Sequence, residues 1–356
     1  MDVVLEVFDT FIFDRLYAGL LPATSIDFTT NIVKDAATTT FSSMHELPTP
    51  YHAASQFLQL KPSQYASMSH LPRHNIWRQT ISLYLITWLF GLFISLGCAT
   101  LSYIFVFDKA TFTHPKYLKN QIRQEIRQTM ISIPFMAILT TPFFLTEVRG
   151  YGKLYDAPSE APFPLYNYLQ FPFFILFTDF FIYWIHRGLH HPLIYKRLHK
   201  PHHRWIMPTP YASHAFHPVD GFTQSLPYHI FPFLFPLQKL AYVALFIFIN
   251  IWTIVIHDGE YVANSSIING AACHTMHHLY FNYNYGQFTT LWDRVGGSYR
   301  KPNAELFSRE SKMSKAEWER QCQETEKVQE QVEGADDRDY GKHASSCTPE
   351  PQKKDQ

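Results

Sequence analysis

The chain has 356 residues, 46% hydrophobic and 17% aromatic, enough for one large domain or two small ones. Its formal net charge is zero, so no basic field draws it to nucleic acid. The four cysteines, Cys98, Cys273, Cys322 and Cys347, have neither CxxC spacing nor a dense framework, which argues against a disulfide-stapled fold and against thiolate metal sites.

Residues 1–21 place Val4, Phe8, Phe11 or Ile12, and Leu16 at helical spacing, the pattern of an amphipathic helix lying in a membrane interface. They lack a basic leader and a small-residue cleavage site, so a cleaved signal peptide is not expected. Residues 81–107 contain no charged side chain, the length a helix needs to cross about 30 Å of hydrocarbon. Residues 129–146 and 165–185 predict two further spans, with prolines that a membrane helix tolerates. Residues 226–256 carry Pro227, Pro232 and Pro236 and are too short for two full spans.

Cytosolic loops retain Lys and Arg. The 108–128 loop holds Lys109, Lys116, Lys119, Arg123 and Arg127, whereas 147–164 holds Arg149 and Lys153 among Glu147, Asp156 and Glu160. The first loop is therefore expected in the cytosol and the N-terminus in the lumen. The third span then emerges into the cytosol at His186. For His257 and His274–His278 to rejoin that side, 226–256 must enter and leave one face as a hairpin or re-entrant element. From residue 306 the chain turns polar and predicts a solvated, disordered tail.

Of 19 histidines, thirteen fall between His186 and His278. Three boxes stand out: His186-Arg-Gly-Leu-His190-His191, His199-Lys-Pro-His202-His203 and His274-Thr-Met-His277-His278. Positions i, i+3 and i+4 share one helix face, so each box aims two or three imidazoles in one direction. Pro201 forbids a regular helix interior and puts the second box at a helix start or turn. Imidazole binds iron, zinc and copper, and eight or more nitrogens exceed what one ion coordinates, so two metals are implied. With no cysteine pair and few nearby carboxylates, an all-imidazole di-iron centre fits better than a zinc finger or a carboxylate-rich bundle.

Asp179, Tyr183, His186 and His190 follow one helix face, which places an acid and a phenol below the first box. Asp179 accepts the free ring N–H of a ligand or orients the site, or else it bonds a neighbouring helix. His257 is favoured as a further ligand, while His214 and His217 either ligate or support, and His229 is assigned to structure. Asp220, Asp258 and Glu260 border these histidines as supporting candidates. Asn282 and Tyr283, in Leu279-Tyr-Phe-Asn-Tyr-Asn-Tyr-Gly286, line a substrate cavity or pack.

The three boxes in this order resemble the fatty acid hydroxylase superfamily of membrane di-iron oxidases. The stretches TDFFIYWIHRGLHHPLIYKRLHKPHH, TPYASHAFHPVDGFTQSLPYHIFPFLFP, IHDGEY and CHTMHHLYFNYNYGQFTTLWDR, and the opening MDVVLEVFDTFIFDRLYAGLLP, resemble the fungal sterol C5-desaturases within it, over roughly 1–305. The resemblance implies an O2-dependent oxidoreductase that introduces the C5–C6 double bond into Δ7-sterols in the endoplasmic reticulum. Two iron ions and electrons from NAD(P)H through cytochrome b5 and its reductase are implied with it. It carries over His186, His190, His199, His202, His203, His274, His277 and His278 as ligands, with His190 or His191 open in the first box. A lipid hydroxylase or C4-methyl sterol oxidase on the same scaffold is the alternative. A histidine-rich metal transporter is a remote one, since no repeats are visible and the histidines gather at one membrane face. Lys353-Lys354 near the end resembles a dilysine retrieval signal.

The expectation is thus an all-α integral membrane protein with three to four spans plus a re-entrant or hairpin element, capped by a cytosolic helical histidine-box domain holding the di-iron centre. The N-terminal region covers 1–80, the membrane-embedded oxidase 81–305 and the tail 306–356.

Overall fold

The computed structural model describes residues 1–23, 54–262 and 265–341; Cys347 and the Lys353-Lys354 pair lie outside the described residues. Among the described residues the regular structure is helical apart from one two-residue strand pair. Helices α1 (Asp2–Phe8) and α2 (Asp14–Leu20) open the chain, followed by α3 (Ile76–Phe105), α4 (Gln121–Val148), α5 (Tyr166–Leu189), α6 (Pro192–Leu198) and α7 (Lys200–His203). Then come α8 (Pro218–Leu234), α9 (Lys239–His257), α10 (Ala271–Tyr280), α11 (Leu291–Val295), α12 (Arg309–Lys312) and α13 (Lys315–Glu333).

Four helices, α3, α4, α5 and α9, are long and apolar enough to cross a membrane. Large apolar side chains such as Phe93 and Phe105 stand exposed along α3, which in a soluble protein would be an aggregation patch and here is a lipid-facing surface. Helix α4 begins at Gln121, earlier than the apolar run at 129, because the intervening polar residues are themselves good helix formers. The proline-rich 226–256 stretch falls across α8 and α9 with a short link between them. Of this pair only α9 has the length and composition of a span, as its limited length required.

The chain divides into two compact units. The first comprises Met1–Phe90, Ala137–Gln170 and His229–Ala244. Here α1, a π-helical turn over Asp9–Phe13, and α2 run on from one another. Phe11, Ile12, Leu16 and Leu20 are exposed, an apolar stripe along one side. The opposite face buries Asp9 and Asp14, which pair with Arg78 at 2.7 and 2.6 Å, and Asp14 pairs with Arg73 as well. Buried charges survive only when so matched, because desolvation offsets the attraction of a poorly placed pair. Strands β1 (Leu154–Tyr155) and β2 (Leu237–Gln238) pair in parallel in this unit.

The second unit comprises Gly91–Met136, Phe171–Tyr228 and Leu245–Gln356 and contains every histidine box. An apolar cluster of Ile206, Met276, Leu279, Tyr280 and Leu306 underlies the third box. The stretch expected as a solvated tail is instead ordered through residue 341, with α13 packed on α10. Helix α13 buries Gln321, Cys322, Thr325, Gln329 and Glu333, a stripe at helical spacing that is almost wholly polar. Hydropathy patterning registers apolar stripes only, so this face carries no signal in the sequence.

Candidate metal centre

The boxes sit where helices end. His186 lies in the last turn of α5 and His190 just beyond it, still one turn above on the same face. Pro201 stands in the first turn of α7, where its missing N–H costs nothing, so the second box is a helix start with His199 as its cap. His257 closes α9. His274, His277 and His278 ride on α10, all of whose residues are buried.

These elements bring nine buried imidazoles into two groups. His186, His190, His199, His203 and His277 form one, and His202, His257, His274 and His278 the other, the donor atoms within each lying within 4.8 Å of one another. All eight histidines carried over from the resemblance are present, and His257 joins the second group as the ninth.

The tautomers follow from the partners, because a carbonyl or carboxylate oxygen only accepts. The Nδ1–H of His186 donates to the Tyr285 carbonyl at 2.9 Å, that of His277 to the Tyr283 carbonyl at 2.7 Å and that of His278 to the Trp205 carbonyl at 3.1 Å. His257 donates to the Thr253 carbonyl at 2.6 Å, and His199 to Asp220 Oδ2 at 2.8 Å. Each of these rings therefore turns a bare Nε2 lone pair inward. His186 and His199 face each other through Nε2 at 3.1 Å with no proton left to share between them. The other short pairs, His203 with His277 at 3.0 Å, His274 with His257 at 2.9 Å and His278 with His274 at 3.2 Å, also lie within a group.

The two bare lone pairs of His186 and His199 repel at 3.1 Å unless a cation takes both. Imidazole nitrogens about 2.1 Å from one divalent ion, and at right angles around it, stand about 3.0 Å apart. Both ring nitrogens of His190 are buried without a hydrogen-bond partner, which is the other mark of a donor set built for a metal. Burial, reinforced by neighbouring histidines, holds His190, His202, His203, His274, His277 and His278 well below the usual imidazole pKa. The rings are therefore neutral, the form that ligates. The residues present fit a two-metal centre.

The remaining candidates fall into place around it. Asp220 is fully buried, receives His199 and accepts from Gln224 Nε2 at 2.8 Å through its other oxygen. Asp179 reaches no histidine. It accepts the backbone N–H groups of Gln287, Phe288 and Thr289 at 2.9, 2.8 and 3.2 Å and the Thr289 hydroxyl at 2.5 Å, so it ties down the loop after α10. Asp293, missed in the sequence, accepts the N–H of Tyr285 and of Gly286, each at 2.8 Å. Between them the two acids fix the carbonyl that receives His186. A side chain at Gly286 would run into the Thr289 carbonyl and Asp293, so only glycine fits that turn. Phe281 (φ 60°) and Asn284 (φ 56°) take backbone that non-glycine residues avoid, a cost of about 1–3 kcal/mol each, and this bends the chain so that the 283 and 285 carbonyls face the boxes.

His191 is exposed and caps α6 through Nδ1, which accepts from Leu193 N at 3.4 Å; the first-box histidine in the cluster is His190. His214 is bonded to Ser213 and to Asn250, each at 3.1 Å, and His217 caps the start of α8, so neither joins a group. Tyr183 bonds Ser298 at 3.0 Å and Arg187 at 2.6 Å. Asp258 accepts from Glu260 N, Glu260 pairs with Lys312, and Asn282 and Tyr283 point to the exterior, Tyr283 contributing its carbonyl alone. The carbonyls of Tyr285, Tyr283, Trp205 and Thr253 leave no trace in residue identity, whereas Asp293 sits close enough to the third box to have been weighed.

Residues 171–298 match the family model described as Fatty acid hydroxylase. The chain is 65% identical to a Delta(7)-sterol 5(6)-desaturase of Aspergillus fumigatus, over 96% of this chain and 97% of the relative. It is 62% identical to the Delta(7)-sterol 5(6)-desaturase of Leptosphaeria maculans, with 96% and 97% covered, and 45% identical to that of Candida albicans, with 96% and 99% covered. No solved structure matches the chain.

Proposed function

Since this chain belongs to the Delta(7)-sterol 5(6)-desaturase family, we propose that its nine buried imidazoles hold two iron ions at which O2 is spent to remove the hydrogens at C5 and C6 of a Δ7-sterol. The protein is a membrane oxidoreductase of sterol biosynthesis. The balance requires two electrons and two protons beside the two hydrogens taken from substrate, reducing O2 to two waters and leaving a 5,7-diene. Iron, when bound, supplies the oxidising power that an unactivated C–H bond demands.

The chain's own residues do the holding and aiming. Tyr285, Tyr283, Trp205 and Thr253 carbonyls and Asp220 keep the Nδ1 protons in place, so that each ring offers Nε2 and none rotates away. The carboxylate of Asp220 adds negative charge behind His199 and makes it the more basic ligand. Burial of the cluster keeps water from quenching the oxidation. The single observation that carries the reading is the convergence of bare Nε2 atoms in two groups.

The Lys and Arg count around 108–128 supports a cytosolic location for the boxes, and the family's place in sterol synthesis supports the endoplasmic reticulum membrane. The exposed Lys196 and Arg197 beside the second box support delivery of electrons by a soluble acidic carrier of the cytochrome b5 kind, reduced from NAD(P)H. The test is expression in cells that lack C5-desaturase activity, with sterols read by their conjugated-diene ultraviolet absorbance and mass. Absorbance must rise with the wild-type chain and not with His199→Ala. A rise equal in both, or a monohydroxylated sterol as the sole product, overturns the reading.

A further inference from the structure

The second box ends in a helix of one turn, α7, whose final carbonyls have no partner within the helix. Arg338, from the stretch beyond α13, supplies that partner. Its Nη2 donates to the His203 carbonyl at 2.9 Å and its Nε to the Arg204 carbonyl at 2.8 Å. The remaining edge of the guanidinium meets Glu333, at 2.7 and 3.0 Å, and both side chains are fully buried. Glu333 also accepts the Tyr195 hydroxyl at 2.7 Å. The Tyr195 ring in turn lies 5.4 Å from His190 and 5.9 Å from His203, centre to centre.

A buried ion pair costs desolvation that an apolar pair would not, so the arrangement stabilises little in itself. What it does provide is direction. The planar fork of one arginine spans two successive carbonyls and fixes the backbone that carries His199, His202 and His203. We propose that Arg338 and Glu333 are positioning residues for the metal centre, acting as a clasp by which the C-terminal segment sets the second box. The inference rests on the metal reading of the histidine cluster. It reassigns the polar end of the chain from a passive tail to part of the ligand scaffold.

The test compares the purified full chain with the double variant Arg338→Met, Glu333→Met, which removes both charges of the pair together; their other partners, Asp336 at 3.2 Å from Arg338 and Lys200 at 3.7 Å from Glu333, are partly exposed and keep water. Ferrous ion affinity is measured anaerobically against a competing chelator, and folding by thermal unfolding of the metal-stripped proteins. Groups behind metal ligands typically govern affinity by ~10–100-fold. The expected result is a loss in that range while the metal-stripped variant still unfolds cooperatively, at a somewhat lower temperature because the Tyr195 hydroxyl and two carbonyls lose partners, with partial recovery in Arg338→Lys, which restores a donor without the fork. Affinity within two-fold of wild type overturns the clasp. A wild-type chain that binds no iron overturns the metal reading instead. A second measurement needs no variant: stripping iron from the wild-type protein must speed amide hydrogen exchange across 333–341, because coupling is reciprocal. Equal exchange in the two forms overturns the clasp.

Discussion

Replacing Asp220 by Asn separates a carboxylate's charge from its shape. Oδ2 receives the His199 Nδ1–H and Oδ1 the Gln224 amide, each at 2.8 Å, in a site closed to water. Asparagine has one oxygen, so it satisfies one of the two donors and turns an NH2 toward the other. With the oxygen toward His199, a charge-assisted bond becomes a neutral one, roughly half as strong. With the NH2 toward His199, the ring must move its proton to Nε2, which stands 3.1 Å from the bare Nε2 of His186, and its donor lone pair is lost to the cluster. Either arrangement weakens a ligand, and the expected fall in ferrous affinity is ~10–100-fold, or about 1.4–2.7 kcal/mol. Anaerobic competition with a chelator measures it, with diene formation followed in parallel. Gln224→Ala, which removes only the other contact, is expected to stay within a few-fold of wild type. An Asp220→Asn enzyme with wild-type iron affinity would refute the reasoning that this carboxylate sets the ring.

In the first box, His190→Ala is expected to abolish diene formation and lower bound iron, while His191→Ala loses only a helix cap, at most about 1 kcal/mol; equal damage from the two would contradict the geometry. Asp179→Ala strands three backbone donors at about 1–3 kcal/mol each, so the melting temperature is expected to drop by at least ~6 °C at ~2–4 °C per kcal/mol, and an unchanged melt counts against the anchoring role. His114 is fully buried against Trp318 of α13, and burial lowers its pKa to about 3. The unfolded chain binds this proton below about 6.5 and the folded chain does not until about pH 3. Its contribution is therefore complete above pH 6.5 and falls as pH drops toward 3, by up to ~1.4 kcal/mol per unit. His114→Asn should show a shallower acid loss of stability than wild type; identical slopes would rule this out.

The second-box proline, the three spans and the three boxes were legible because each rests on a local rule: a missing N–H, an uncharged run of span length, an i, i+4 face. His257 was legible for a related reason, as a histidine at the end of an apolar helix. For Asp179 the sequence left open a ligand's ring N–H, a part in orienting the site, and a helix contact. Helical phase puts it under His186, but the loop after α10 returns to claim it through three amides, a contact over a hundred residues away in sequence. The choice between His190 and His191 turned on where α5 ends, which phase alone does not fix. The acceptors that lock the rings are mostly carbonyls, common to every residue. The clasp was hidden because the face of α13 that carries Glu333 is buried and polar at once, a combination that patterning reads as solvent, and Arg338 lies beyond the helix.

The nine imidazoles are sealed, with exposures from 0 to 8%. A cation seated among such buried rings would leave largely through a transient parting of the surrounding helices, so its residence time would follow the protein's opening rate. Release to a chelator should then reach a ceiling as chelator is added, set by that opening. A metal held there would exchange slowly with its surroundings, and chelator competition reports affinity only after incubation that is long against the opening time.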